Sequence, residues 1–327
     1  MKNNILITGG AGFIGSHLVR YFVENYSNYN IFNYDSLTYS SNLDFLKVIE
    51  NKPNYNFIKG DICDFDSLKS VFQKYEINKI IHLAAESHVD NSIQNPTIFA
   101  KTNVMGTLNL LNIAKLQWGN NFLNKLFYHI STDEVFGSTT LNNPFNENSN
   151  YKPNSPYSAS KASSDHFVRS FSKTFGLPAI ISNSSNNYGP NQHPEKLIPL
   201  FINNIKNNKP LGIYGDGLNI RNWLFVEDHI KAIDLIFHSG KIGETYCIGG
   251  SDCISNLDLT NYLIRTADKM LNRKTGSSNK LIKFIKDRPG HDLCYAVDST
   301  KVKKELRWKP NITFYDGIIK TVKWYLN

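Results

Sequence analysis

Two short stretches carry side chains suited to proton and hydride chemistry. In Tyr157-Ser158-Ala159-Ser160-Lys161 the Tyr and Lys are four residues apart. On a helix that spacing puts both on one face, about one turn apart. An ammonium beside a phenol stabilises the phenolate and lowers a pKa that starts near ~10. Such a Tyr can take the proton of an alcohol while hydride leaves the same carbon. Upstream, Thr132, Asp133 and Glu134 follow a β-rich run, Leu126-Phe127-Tyr128-His129-Ile130. Adjacent carboxyl groups in different surroundings can divide acid and base work. A Tyr and a Lys four apart also decorate ordinary exposed helix turns, so the pair gains meaning only from its context.

That context begins at the N-terminus. Ile5-Leu6-Ile7 reads as a buried parallel strand. Gly9-Gly10-Ala11-Gly12-Phe13-Ile14-Gly15 follows at once, and Phe13, Ile14, Leu18, Val19 and Phe22 then recur at helical spacing. The glycines Gly9, Gly12 and Gly15 permit a tight turn and close approach of the backbone to a pyrophosphate at a helix N-terminus. Asn30-Ile31-Phe32-Asn33-Tyr34 reads as the second strand and ends at Asp35, twenty residues past Gly15. A carboxylate there accepts hydrogen bonds from an adenosine ribose, and its charge favours NAD over NADP.

The third strand is Asn56-Phe57-Ile58-Lys59-Gly60-Asp61-Ile62. Asp61 and Ile62 reach the adenine edge if the winding holds; otherwise Asp61 caps a helix that begins near Asp66. The fourth strand is Lys79-Ile80-Ile81-His82-Leu83-Ala84-Ala85. Its small Ala84 and Ala85 admit a cofactor closely, and His82 reads as a satisfied core histidine. A helix over 103–116, a fifth strand leading into Thr132, a Pro- and Asn-rich loop over 142–156 and a sixth strand at Ala179-Ile180-Ile181 complete the pattern.

Alternating strands and helices predict an α/β fold, a doubly wound parallel (Rossmann) sheet with right-handed crossovers and its ligands at the C-terminal strand ends. Beyond residue 187 the pattern is less regular. Helices are expected over 194–204, 226–237, 256–271 and 314–325, with a short strand near Ile213-Tyr214. The expected division is an NAD-binding domain over 1–187 and a smaller C-terminal α/β substrate-binding lobe over 188–327, with some exchange of chain between them. Arg221, Arg288 and His291 are donors suited to a diphosphate.

Bulk properties exclude several classes. The net charge of +8 is scattered, with no run of five or six basic residues, which argues against nucleic-acid binding. Cys63, Cys247, Cys253 and Cys294 form no CxxC and match no zinc module, so no metal is expected. The N-terminal apolar run is too short for a signal peptide, and no run approaches the ~18 apolar residues of a membrane span. A cytoplasmic, soluble protein is expected.

With these residues assembled, the chain resembles the extended short-chain dehydrogenases/reductases and, more closely, the dTDP-glucose 4,6-dehydratase family of deoxysugar (rhamnose) synthesis. The resemblance runs nearly end to end. It covers the glycine turn, His82-Leu83-Ala84-Ala85-Glu86-Ser87-His88-Val89-Asp90, Ser131-Thr132-Asp133-Glu134-Val135-Phe136-Gly137, the Tyr157–Lys161 stretch, Ser185-Asn186-Asn187-Tyr188-Gly189-Pro190, Pro194-Glu195-Lys196-Leu197-Ile198-Pro199 and Asp287-Arg288-Pro289-Gly290-His291-Asp292. It implies C4 oxidation of a nucleoside-diphosphate glucose by tightly bound NAD, elimination of water across C5 and C6, and return of the hydride to C6. Tyr157 with Lys161 would deprotonate the C4 hydroxyl, Glu134 would take the C5 proton, Asp133 would protonate the leaving hydroxyl and Thr132 would hydrogen-bond the C4 oxygen. Asn103 joins Leu83, Ala84 and the residues above as a cofactor contact. Ser87, Asn186, Lys196, Arg221, Asn256, Arg288 and His291 would hold sugar and diphosphate, with Tyr214 near the base. The family commonly forms homodimers through the helices over 103–116 and 157–175.

The chain departs from the family at Asn91 and Cys294, where Arg is usual, and at Phe136, where Tyr is common. UDP-glucose is an alternative substrate. A UDP-sugar 4-epimerase is an alternative activity, against which the Asp133-Glu134 pair argues. A non-enzymatic nucleotide-binding scaffold is a third reading, yet it predicts loss of reactive side chains that are all present.

Overall fold

Six apolar runs up to residue 184 become six parallel strands: β1 (Asn3–Thr8), β2 (Tyr29–Asp35), β3 (Tyr55–Lys59), β4 (Lys79–His82), β5 (Leu126–Thr132) and β6 (Ala179–Ser184). The computed structural model describes residues 3–327; Met1 and Lys2, which open the run read as no signal peptide, lie outside the described residues. The strands are continuous in apolar residues because both faces of the sheet are covered. One face packs Ile5, Ile7 and Ile81 against α1 (Phe13–Asn25). The other packs Leu6, Phe32 and Ile80 against α2 (Phe65–Tyr75), α5 (Gly106–Trp118) and α6 (Pro156–Phe175). Two short helices, α3 (Val89–Gln94) and α4 (Pro96–Phe99), lead through a π turn at Ala100–Met105 into α5.

Past the sixth strand come β7 (Asn186–Tyr188), α7 (Leu197–Lys206), β8 (Leu211–Tyr214), β9 (Ile220–Phe225), α8 (Val226–Ser239), β10 (Thr245–Ile248), β11 (Asp252–Ser255), α9 (Asn256–Met270), β12 (Ile282–Ile285), α10 (Thr300–Leu306) and α11 (Phe314–Leu326). The chain does not leave the first sheet behind. Strand β10 pairs with β6 as its seventh strand, and Ile230, Ile233 and Phe237 of α8 join the face that carries α1. The remaining strands form sheets β11-β9-β7 and β12-β8. Helices α7, α9 and α11 bury Ile198, Phe201, Leu263, Phe314 and Ile318 in a separate core.

The main sheet runs β10-β6-β5-β4-β1-β2-β3. Strand order reverses at β1, which lies between β2 and β4, and the crevice beyond such a switch point is where ligands bind in this fold class. Two strands end earlier than expected, at Lys59 and His82. Asp61, Ile62, Leu83, Ala84 and Ala85 therefore stand on loops at the mouth of the crevice rather than inside strands. The cap of α2 is Asp64, which accepts from Ser67 N at 3.0 Å; Asp61 instead accepts from Cys63 N at 2.8 Å, so the capping role considered for it does not apply. The helix expected over 194–204 starts only at Leu197, with Lys196 as its cap residue. Among the described residues no helix is long and apolar enough to cross a membrane.

Candidate active site

A cleft of about 310 Å³ opens at the switch point, with Gly12, Asp35 and Ala84 along one stretch and Asp133, Tyr157 and Lys196 along another. Its floor is the glycine turn. Gly9 has φ +74°, and a Cβ there would stand 2.7 Å from Ala84 N. A Cβ on Gly15 would lie 2.1 Å from the Gly9 carbonyl oxygen. Gly12 differs: its Cβ would meet only that same oxygen, at 3.4 Å, so the space beside it belongs to a ligand. Helix α1 begins here without a side-chain cap, leaving first-turn N–H groups free for an anion. Asp35 is held in place: Oδ2 accepts from Ala11 N (2.9 Å), and Oδ1 accepts from Leu37 N (2.8 Å) and Ser41 Oγ (2.9 Å). A carboxylate has about four acceptor sites, so one remains for a ribose hydroxyl. The cradle fits a dinucleotide.

A test separates the two glycines. Gly12→Ala should keep the wild-type melting temperature yet lose bound dinucleotide, measured by nucleotide content after denaturation. Gly15→Ala should lose both, because its methyl group collides with the backbone of residues 9 and 10.

Across the cleft, β5 delivers Thr132 to a single helical turn, Asp133–Phe136. Thr132 caps this turn, its Oγ1 accepting from Glu134 N at 3.2 Å and donating to Asp133 Oδ1 at 3.4 Å. Asp133 is 1% exposed, and its Oδ2 is buried with no hydrogen-bond partner among the described residues. Burial, with the Glu134 charge beside it, pushes its carboxyl well above the usual range. Burial also raises Glu134, but Arg288, Arg221 and Lys196 all oppose that shift. Burial thus works against ionisation at both carboxyls, and three cations counter it at Glu134.

Tyr157 enters through the first turn of α6. Ser155 and Ser158 form a reciprocal cap (3.0 and 3.1 Å) with Pro156 at the first helical position, which fixes where the helix starts. Burial and the Glu134 charge hold the phenol pKa up, and Thr132 works against that shift. The sequence predicted that Lys161 lowers it directly. Instead the Lys161 ammonium donates to the Ile130 carbonyl at 2.9 Å and lies 3.4 Å from His129 Nε2. Burial brings Lys161 down to about 8. Both side chains line the cleft, but the ammonium is turned toward β5, where the nearest strong acceptor is a main-chain oxygen.

The remaining predicted residues divide into two groups. Phe13, Ile14, Asp61, Ile62, Leu83, Ala85, Ser87, Asn186 and Lys196 line the same cleft. Lys196 crosses it, donating to the Ser87 carbonyl at 2.7 Å. Tyr214 and Arg288 meet beyond it at Asp90, which accepts from the Tyr214 hydroxyl at 3.2 Å and lies 3.6 Å from Arg288 Nη1, while His291 Nδ1 pairs with Asp287 Oδ1 at 2.6 Å. The ring of His291 is 6.0 Å from that of Tyr214. Arg221 is buried, donates to Ile220 and Asp292 carbonyls and rests on the Tyr295 ring. Asn256 is buried at the start of α9, its main chain bonded to Asn219 and Thr260. Asn103 does not reach the cleft wall. It is 1% exposed, and its side chain bonds Glu86 N, Glu86 O and Ser160 Oγ, because the π turn aims it at the neighbouring loop and at α6. Its side chain braces the loop at Glu86 against α6.

Sequence reasoning missed Ser36, Thr38, Glu86 and Glu195, which also line the cleft, and Asp90, which stands in the first turn of α3. His82 is the satisfied core histidine expected, 2.7 Å from Thr8 Oγ1 and 3.0 Å from Thr107 Oγ1.

A dinucleotide cradle at the switch point of a doubly wound sheet, facing a Tyr–Lys pair on one helix, is the architecture of an extended short-chain dehydrogenase/reductase. Residues 6–321 match the family model described as GDP-mannose 4,6 dehydratase. Over 99% of its length the chain is 49% identical to the dTDP-glucose 4,6-dehydratase of Haemophilus influenzae, covering 98% of that protein. It therefore belongs to that family, on its dTDP-glucose 4,6-dehydratase branch. A dTDP-glucose 4,6-dehydratase from Streptomyces venezuelae, solved with NAD and TYD bound, superimposes with a TM-score of 0.90 at 40% identity, covering 99% of this chain and 97% of that one. A Thermotoga maritima UDP-glucose 4-epimerase solved with UDP-glucose is more distant in sequence, 28% identical with a TM-score of 0.86, over 99% and 98% of the chains.

Proposed function

We propose that this protein is an NAD-dependent nucleoside-diphosphate-glucose 4,6-dehydratase, a hydro-lyase acting on dTDP-glucose. The observation that carries the reading is the Asp133–Glu134 pair in the same cleft as Tyr157, where burial raises both carboxyls and three cations counter that shift at Glu134. Bound NAD would supply reversible hydride transfer between C4 and C6 of the sugar. Gly9, Gly12, Gly15 and Asp35 would hold it, with Asp61 and Ile62 near its adenine.

The chain's own groups do the rest. Tyr157, steadied by Thr132 and Lys161, acts as the phenolate, its own proton having passed to solvent, and receives the C4 hydroxyl proton. The C4 ketone acidifies C5–H, and Glu134 removes that proton. Asp133 supplies a proton to the C6 hydroxyl, which leaves as water. Glu134 then gives its proton back to C5 as C6 is reduced. Each positioned acid or base step of this kind contributes roughly 10²–10⁴-fold. Ser87, Asn186, Lys196, Arg221, Asn256, Arg288 and His291 are assigned to the sugar and diphosphate, and Tyr214 to the base.

In this reading residues 1–187 carry the cofactor and 188–327 the nucleotide sugar, with α8 and β10 given back to the first part. A cytoplasmic homodimer is inferred as well, a reading supported by four free cysteines and by exposed apolar side chains at Met105, Leu116 and Phe175, on or beside α5 and α6.

The test is a mass-resolved assay of purified protein with dTDP-glucose and UDP-glucose in separate tubes. Loss of one water with no net NADH is the expected result. Thymine and uracil differ by one methyl group, worth about 1–3 kcal/mol in a pocket, and the ratio of kcat/KM values names the base. A product of unchanged mass and galacto configuration would overturn the dehydratase reading in favour of the epimerase.

A further inference from the structure

A buried carboxylate stands behind Lys161. Asp165 follows it by one turn on α6 and is fully buried, as is His129 on β5. His129 Nε2 lies 3.2 Å from Asp165 Oδ1 and 3.4 Å from Lys161 Nζ, so one imidazole nitrogen faces both charges. Asp165 Oδ2 accepts from Ser131 Oγ (2.9 Å), the Tyr151 hydroxyl (2.6 Å) and Asn183 Nδ2 (3.1 Å). Oδ1 takes no well-aligned hydrogen bond.

Three donors on one oxygen favour the ionised form, and an ionised carboxylate in the interior needs a positive charge near it. His129 does not supply one, since burial and the Lys161 charge bring it down to about 4. His82, whose ring is 5.2 Å from that of His129, is likewise lowered by burial. Arg169 reaches Asp165 only through the Tyr151 hydroxyl, 2.6 Å from its Nη2. Lys161 remains.

We propose that Asp165 is a positioning residue for the reaction: its carboxylate, acting across His129, is the counter-charge that holds Lys161 as an ammonium at the cleft wall. This rests on the reading of Tyr157 and Lys161 given above. The electrostatics agree in sign. Burial opposes the ionisation of Asp165, yet contact with His129 and the charge of Lys161 bring it below its usual range. Burial lowers Lys161 and Asp165 opposes that shift.

Activity that needs the ammonium is lost as pH rises through the Lys161 value. Without the carboxylate that value falls, so the alkaline limb must move to lower pH. The experiment is the pH profile of kcat on dTDP-glucose for wild type, Asp165→Asn and Asp165→Glu. Asp165→Asn, close in shape but uncharged, should shift the limb down by about 1–3 pH units. At the midpoint of the wild-type limb kcat should fall at least about fivefold, while KM stays unchanged and Asp165→Glu restores part of the loss. An unmoved limb in a folded Asp165→Asn variant would overturn the proposal.

If that variant does not fold, Lys161→Met/Asp165→Asn decides. Recovery of a cooperative melting transition in the double variant supports the charge partnership. A double variant as unfolded as the single one means that Asp165 serves only its hydroxyl and amide partners, and the proposal fails. Lys161→Met alone tests the underlying reading: if its kcat equals wild type, the role given to Lys161 is wrong, whatever the melting data show.

Discussion

Tyr157→Phe should abolish turnover of dTDP-glucose, lowering kcat by at least ~10³-fold, within the span of a lost acid–base group. Bound NAD should also stay oxidised when substrate is added. The substitution removes one hydroxyl and leaves the ring, which is 9% exposed and packs edge-on against Phe99 with centroids 6.4 Å apart. The helix start set by Ser155 and Ser158 is untouched, so the melting temperature should hold. Reduced nicotinamide absorbs in the near ultraviolet, and a single-turnover mixing experiment reads it directly. Rapid reduction in the variant would mean that another group takes the C4 proton, and the assignment of Tyr157 would fall.

Glu134→Gln should separate steps that Tyr157→Phe stops together. The C4 oxidation needs Tyr157, so bound NADH should still form. The C5 proton then has no base, and deuterium from solvent should not enter C5. Steady-state kcat should drop by roughly 10²–10⁴-fold. Asp133→Asn should behave differently: C5 exchange persists while water loss slows, because the amide cannot give a proton to the leaving hydroxyl. The acid limb of the wild-type profile follows from the same pair. Burial raises Glu134 above its ordinary value, so kcat should begin to fall at a pH above the usual glutamate range as Glu134 takes up a proton. If Glu134→Gln keeps wild-type C5 exchange, Glu134 is not the base.

The family departures have uneven consequences. Phe136 packs face to face with Phe145 (5.1 Å) and edge-on to Tyr151 (5.2 Å), in a small core that also holds Val135 and Cys247. Its missing hydroxyl removes nothing from the cleft lining. Asn91 donates weakly to the Tyr39 hydroxyl at 3.5 Å. Cys294 is buried beside β9, bridged to Ile220, and the cation that an Arg would bring there is absent.

Much of this protein is legible in its sequence alone, for a definable reason. The strands β1, β2, β4, β5 and β6 are apolar runs covered on both faces, and the first turn needs glycine at Gly9 and Gly15 for backbone clearance. Such requirements are local, so residue type and spacing record them. The Tyr157–Lys161 spacing and the Asp133-Glu134 adjacency are local in the same way. What the sequence left undetermined are relations between distant segments. Strands β7, β10, β11 and β12 are three or four residues long and exist because a neighbouring strand offers them hydrogen bonds, so they show little periodicity of their own. Only the tertiary structure turns Lys161 toward Ile130, spends the Asn103 side chain on Glu86, and sets Asp165 behind His129. Charge and hydrogen-bond partnerships depend on distance and burial in three dimensions, and residues as far apart as Thr8 and His82, 74 positions, carry no mark of their pairing in the chain itself.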